Sequence, residues 1–294
     1  MNQHFDFAII GAAKAGTTSL TQYVSQHPDI FYPREKEIPF FLREECWNQG
    51  NAYLDTFYGG KDERQLTGTG HVHMLPSVDA ASRLHQYSPD VKLVAVLRNP
   101  IERAYSAYWH SRRLEWETSA TFEEALDREP ARSAEGSLIA TDYAYVNDGC
   151  YYKHLQAYLE LFPRERLYIV LTDDLKADTP DTLAKLLTWL GVEPRLEELD
   201  LSKKSNVASQ PRYALLNKFL LSRGSLKQTY KSIVPEKLRY EIAMRVKKPL
   251  VQMNLQKFDY PPIEAETRAR LREYFAPHNA QLGEFLARDL SHWT

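Results

Sequence analysis

Short apolar runs alternate with amphipathic stretches along the first two thirds of the chain. Phe5-Asp6-Phe7-Ala8-Ile9-Ile10 reads as a buried strand that stops at Gly11. Leu20, Tyr23 and Val24 then fall at helical spacing within Thr17 to Gln26, before His27-Pro28 ends the helix. The grammar repeats at Lys92 to Leu97, where Asn99 supplies a helix cap and Pro100 takes the first helical position, whose N–H has no intrahelical partner. Leu167 to Leu171 is a third strand, with a helix over Tyr152 to Phe162 before it and one over Asp181 to Leu190 after it. Such alternation predicts an α/β fold: a parallel sheet flanked by helices on both faces.

From about Ser202 the pattern changes to charge-studded helical stretches, Pro211 to Leu221, Pro235 to Met253 and Ala265 to Ala287. No linker rich in Gly, Ser or Pro separates them from the sheet. The expectation is one domain over residues 1–294, with a sheet core at about 5–190 and a helical C-terminal part at about 202–294. Arg268, Arg270 and Arg272 read as a solvated helix face rather than a nucleic-acid patch.

Composition narrows the classes. Hydrophobic residues make up 43% and charged residues 26%, as in an ordinary globular protein. The 37 basic residues nearly balance 39 acidic ones, so any anion site must be local. The two cysteines, Cys46 and Cys150, carry no CxxC spacing, which argues against a disulfide framework or a zinc site and for a reducing compartment. The apolar runs are far shorter than the ~20 residues that span a bilayer. No basic leader precedes the first strand, so the expected location is cytoplasmic.

The candidate chemistry lies at the ends of the first two strands. Gly11-Ala-Ala-Lys14-Ala15-Gly16-Thr17-Thr18-Ser19 has the glycine spacing of a phosphate-binding loop, but Thr17 stands where a nucleotide P-loop has lysine, and Lys14 carries the charge instead. Backbone amides, the helix N-terminus and three hydroxyls would still cradle an anion. The bland alternative is a tight strand-to-helix turn. The second strand ends in Arg98, an anion contact where a kinase or ATPase offers an aspartate to magnesium. Ser106 lies about 10 Å along the following helix from Asn99, within reach of a phosphate held by an extended arginine. Taken alone, Arg98 also suits a surface ion pair.

At these residues the chain resembles the sulfotransferases that use 3′-phosphoadenosine 5′-phosphosulfate (PAPS). Residues 11–19 resemble their 5′-phosphosulfate loop, which implies that Lys14, Ala15, Gly16, Thr17, Thr18 and Ser19 bind the donor. Arg98 and Ser106 resemble their 3′-phosphate pair. Gly149-Cys-Tyr-Tyr152-Lys-His154 is similar to a segment whose second aromatic residue contacts adenine, which implies that role for Tyr152. Lys36-Glu37-Ile-Pro-Phe-Phe41 resembles the K-E-x-x-F-F segment of the heparan-sulfate branch, where the glutamate is the proposed base. Gly68-Thr-Gly-His71-Val-His73-Met-Leu-Pro76 instead resembles the K-T-H-x-x-x-L-P segment of the cytosolic branch, without its lysine and with His71 near the catalytic histidine.

The resemblance covers roughly residues 5–190 and implies sulfuryl transfer from PAPS to a hydroxyl or amine of a small-molecule, lipid or saccharide acceptor, with no metal. The relatives' C-terminal phosphate loop has three candidate places here, Arg223-Gly224, Lys247-Lys248 and Ser209 to Arg212. The catalytic set implied is Lys14, Glu37 and His71. Glu37 is the favoured base because Lys36, Phe40 and Phe41 also match around it and apolar Pro39, Phe40 and Phe41 would raise its pKa by desolvation; His71, which titrates near ~6.5 without such tuning, is expected to orient the acceptor or assist. Without the resemblance, Glu37 reads as a loop carboxylate paired with Arg34 or Lys36, and His71 and His73 as ordinary loop or core histidines. The competing functional readings are a P-loop small-molecule kinase and a degenerate nucleotide-binding protein.

Overall fold

Strand β1, Phe7–Gly11, is buried along its whole length. That is the signature of a central parallel strand covered on both faces, and it explains an apolar run without alternation. The computed structural model describes residues 5–59, 62, 65–134, 143–202, 209–213, 215–217 and 248–294. After β1 come helix α1 (Thr17–Val24), strand β2 (Ile30–Phe31), two one-turn helices α2 (Glu44–Trp47) and α3 (Asn51–Leu54), strand β3 (Leu66–Gly70) and helix α4 (Val78–Tyr87). Strand β4 (Lys92–Leu97) leads into α5 (Pro100–Arg113). The expected cap is present, with Asn99 Oδ1 accepting from the Ile101 amide at 3.0 Å. Helices α6 (Phe122–Ala134) and α7 (Tyr151–Leu159) precede strand β5 (Leu167–Leu171), which runs into α8 (Thr172–Ala177) and α9 (Thr179–Leu190).

The five strands form one parallel sheet in the order β2-β3-β1-β4-β5, flanked by helices. From β1 the chain builds first toward β3 and then crosses to β4 on the other side, so the carboxyl end of β1 is the topological switch point where ligands of such sheets bind. β2 and β3 carry no strand signal in the sequence. Leu66–Gly70 reads LTGTG because side chains will not fit: a Cβ at Gly68 would lie 2.4 Å from Phe7 Cζ, and one at Gly70 2.4 Å from the Ile9 carbonyl oxygen. Close approach to β1 selects glycine here against β propensity.

The chain forms two compact units. The first, Met1–Ala104, Val146–Asn206 and Arg268–Thr294, contains the sheet. The second comprises Tyr105–Tyr145 and Val207–Thr267. Within it, strands β6 (Ser209–Pro211) and β7 (Leu255–Lys257) pair antiparallel, so the helix expected from Pro211 gives way at its start to a strand. Proline removes one donor and is tolerated in so short a pairing. Helix α10 (Lys248–Met253) is the described part of the stretch expected from Pro235 to Met253, and the rest lies outside the described residues. Helix α11 (Ala265–Leu286) follows, as the sequence indicates. The second unit is held by a buried carboxylate: Glu117 accepts from both terminal nitrogens of Arg132 (2.6 and 2.9 Å), from the Ser119 amide (2.7 Å) and from the Tyr145 hydroxyl (2.7 Å).

Candidate active site

The loop between β1 and α1 is built to receive an anion. Lys14 and Gly16 both adopt left-handed backbone, φ 65° and 104°, the turn geometry that makes an amide nest. The carbonyl oxygens of Lys14 and Ala15 are turned away to Arg98 Nη1 (3.3 Å) and Thr172 Oγ1 (2.5 Å). The Gly16 amide, antiparallel to the Ala15 carbonyl across a planar peptide, is therefore directed to the other side. Helix α1 has no acidic residue in its first turn and no side-chain cap at Gly16, so its positive end is not neutralised from within. Thr17 is buried, while Lys14, Thr18 and Ser19 are half-buried.

Arg98 leaves the end of β4 beside this loop. Its ion pair with Glu102 is loose at 3.9 Å, and Glu102 is bound more closely by Arg268 at 2.8 Å. The surface-pair reading of Arg98 is thus weak, and the guanidinium is instead anchored on the loop itself. Thr172, the first residue after β5, ties the loop to the end of β4 by sharing its one O–H between the carbonyls of Ala15 and of Leu97, the latter at 2.9 Å. Behind them the buried Tyr151 donates to the Arg98 carbonyl at 2.8 Å.

Lys36, Glu37 and His71 gather on the other side of the loop. The segment carrying Glu37 is anchored by Phe40 and Phe41, both 1% exposed, which pack edge-on against Tyr87 at 5.5 and 5.9 Å. Lys36 Nζ donates to Thr17 Oγ1 and Thr18 Oγ1, each at 3.1 Å, and to Glu37 Oε1 at 2.8 Å. The other carboxylate oxygen accepts the Val72 amide at 2.8 Å and lies 3.6 Å from His71 Nδ1. His71 sits directly after β3, so β1, β3 and β4 each deliver one element of the cluster at their carboxyl ends.

The electrostatics reverse the expectation for the base. Burial does push the Glu37 carboxyl upward, but the Lys36 ammonium, His71 and the Val72 amide outweigh it and hold the group below the usual carboxylate range. Phe40 and Phe41 are buried in the core while the Glu37 side chain stays 35% exposed, so the desolvation the sequence suggests is present but does not prevail. Burial lowers the His71 imidazole to about 4, with Glu37 opposing the shift.

The sequence model of the Sulfotransferase domain family matches residues 5–222. The chain belongs to the sulfotransferase family. It is 26% identical over 293 residues to mouse bifunctional heparan sulfate N-deacetylase/N-sulfotransferase 3, covering 96% of this chain and 30% of that protein. It is 28% identical over 197 residues to mouse heparan sulfate glucosamine 3-O-sulfotransferase 6, covering 63% of this chain and 52% of that protein. The chain thus spans about a third to a half of the length of these curated relatives. The crystal structure of a sulfotransferase from Alicyclobacillus acidocaldarius superposes with a TM-score of 0.69 at 27% identity, covering 98% of each chain.

Ser106 is half-buried on α5 and belongs to the second unit. Tyr152 packs against Phe285 of α11, ring centroids 5.3 Å apart. Of the C-terminal phosphate-loop candidates, Arg223, Gly224 and Lys247 lie outside the described residues, and Ser209–Pro211 is strand β6, where Ser209 Oγ accepts from Arg113 at 2.9 Å. Sequence reasoning missed Thr172 and Tyr151. A hydroxyl residue closing an apolar strand was a usable signal for the first, and nothing distinguished the second from its neighbour Tyr152.

Proposed function

We propose that the chain transfers the sulfuryl group of PAPS to a hydroxyl or amino group of a saccharide acceptor, releasing adenosine 3′,5′-bisphosphate (PAP). The observation that carries this reading is the convergence on one loop of Lys14, the unneutralised start of α1, Arg98 and the Lys36–Glu37–His71 cluster. The nest, the hydroxyls of Thr17, Thr18 and Ser19, and Lys14 suit a 5′-phosphosulfate, and Arg98 suits a 3′-phosphate; the sequence resemblance adds Ser106 to the 3′-phosphate and Tyr152 to the adenine. The saccharide is supported by the similarity to heparan sulfate sulfotransferases.

PAPS supplies an activated sulfur whose bond to a phosphate oxygen breaks as the acceptor's oxygen or nitrogen bonds to it. Lys14 and the loop amides stabilise the charge that grows on the departing phosphate. Glu37 takes the acceptor proton, and His71, neutral near pH 7, orients the acceptor. Cation and amide charges do the work that magnesium does where a strand ends in aspartate, so transfer is expected to persist in EDTA. Two buried cysteines without a disulfide support a cytoplasmic setting. The test is mass-spectrometric detection of PAP and sulfated product from PAPS with amino- and hydroxyl-bearing glucosamine oligosaccharides. Stoichiometric formation of both is expected; PAP release unaffected by any acceptor would count against transfer.

A further inference from the structure

Lys36 joins two parts of the site, the hydroxyls of the β1–α1 loop and the carboxylate after β2. An ammonium has three N–H donors, and here each finds an acceptor: Thr17, Thr18 and one oxygen of Glu37. Because the two threonine oxygens accept from Lys36, their own O–H groups are left to donate, which is the polarity an anion on the loop requires. The same ammonium neutralises the carboxylate assigned as base. An anion bound to the loop therefore competes with Glu37 for one cation.

We propose that Lys36 is a positioning residue that couples the two halves of the reaction, clamping Glu37 until a phosphate-bearing donor on the Thr17–Thr18 hydroxyls draws its charge away and frees the carboxylate to accept a proton. This rests on the donor-site reading above. It implies that donor binds before the acceptor is activated, and that a carboxylate held below its usual range becomes basic only on a loaded site. The groups facing Glu37 are Lys36 on its own segment, His71 and the Val72 amide after β3, and Tyr32 after β2; His73 and Arg43 act on it through His71. Of these, only Lys36 also holds the loop hydroxyls.

Proton linkage reads this without turnover. PAP binding is followed by titration calorimetry near pH 5 in paired buffers of different ionisation enthalpy, for the parent, Glu37→Gln, Lys36→Met, Lys36→Arg and the Lys36→Met/Glu37→Gln double variant. Protons carried by the nucleotide itself cancel in the differences. The parent is expected to take up more protons than Glu37→Gln, Lys36→Arg to retain that excess, and the excess to shrink at least two-fold when Lys36→Met is compared with the double variant. An excess of the same size in both backgrounds overturns the role of Lys36 while leaving the donor site intact. Failure of the parent to bind PAP at all overturns the donor reading, and this inference with it.

Discussion

Arg98 donates from Nη1 to the carbonyl oxygen of Lys14 at 3.3 Å, across 84 positions of sequence. The residue read as the 3′-phosphate contact therefore also braces the loop read as the 5′-phosphate contact. Arg98→Ala is expected to weaken PAP by about 10- to 100-fold, the worth of charge-assisted hydrogen bonds. Adenosine 5′-phosphosulfate, which lacks the 3′-phosphate, should lose markedly less, through the brace alone. Equal losses measured by competition binding would place Arg98 at the wrong end of the nucleotide.

Lys14→Ala should lower kcat on the order of 100-fold or more with little change in donor KM, because its charge matters most when the leaving phosphate develops its own. A raised KM with near-parental kcat would show a binding role only.

The base assignment is read from single-turnover rates against pH. Glu37→Gln should reduce the rate by about 100-fold or more, while His71→Ala stays within about 10-fold. Since His71 is held near 4, parental kcat/KM should show no imidazole limb between pH 6 and 7. Collapse in both variants would make the pair a coupled unit.

Thr172→Val removes a hydroxyl that bonds both the loop and the end of β4, leaving two carbonyls without that donor. The expected cost is about 1–3 kcal/mol in denaturant unfolding, with weaker PAP binding. Unchanged affinity would show that the loop holds its shape without the tie.

Glu117 makes stability pH-dependent. Burial works to raise its pKa, but Arg132, the Ser119 amide and Tyr145 lower it from 4.5 to about 2. A depressed folded pKa means that the contribution is complete above about 4.5 and is lost as pH falls toward 2. Arg132→Met should cost about 3–5 kcal/mol at pH 7, because it strands a buried charge. Urea unfolding at pH 7 and pH 3 should show a smaller penalty at the lower pH; an equal penalty would assign the effect to packing.

The strands β1, β4 and β5, the Asn99 cap and the long helix α11 were legible because apolar periodicity and capping chemistry are local. β2 and β3 were not. Two residues cannot show a period, and Gly68 and Gly70 answer to Phe7, Tyr32 and Ile9, which only the fold brings near. In the site, residue identity and spacing led to the loop and to Arg98, and the family resemblance to Glu37 and His71. Their electrostatics stayed hidden, because the direction of Phe40 and Phe41, into the core, and the reach of Lys36 to Thr17 and Thr18 are tertiary facts.

The central claim is that the β1–α1 loop and Arg98 hold a nucleotide phosphorylated at both ends of its ribose. Thermal unfolding with PAP against ATP plus magnesium tests it most directly, since a ligand at 100 times its Kd stabilises by about 2.7 kcal/mol. The expected result is a Tm increase with PAP that greatly exceeds that with ATP–magnesium and is lost in Lys14→Ala and Arg98→Ala. A larger increase with ATP–magnesium, or a PAP shift unaltered in both variants, would contradict the account.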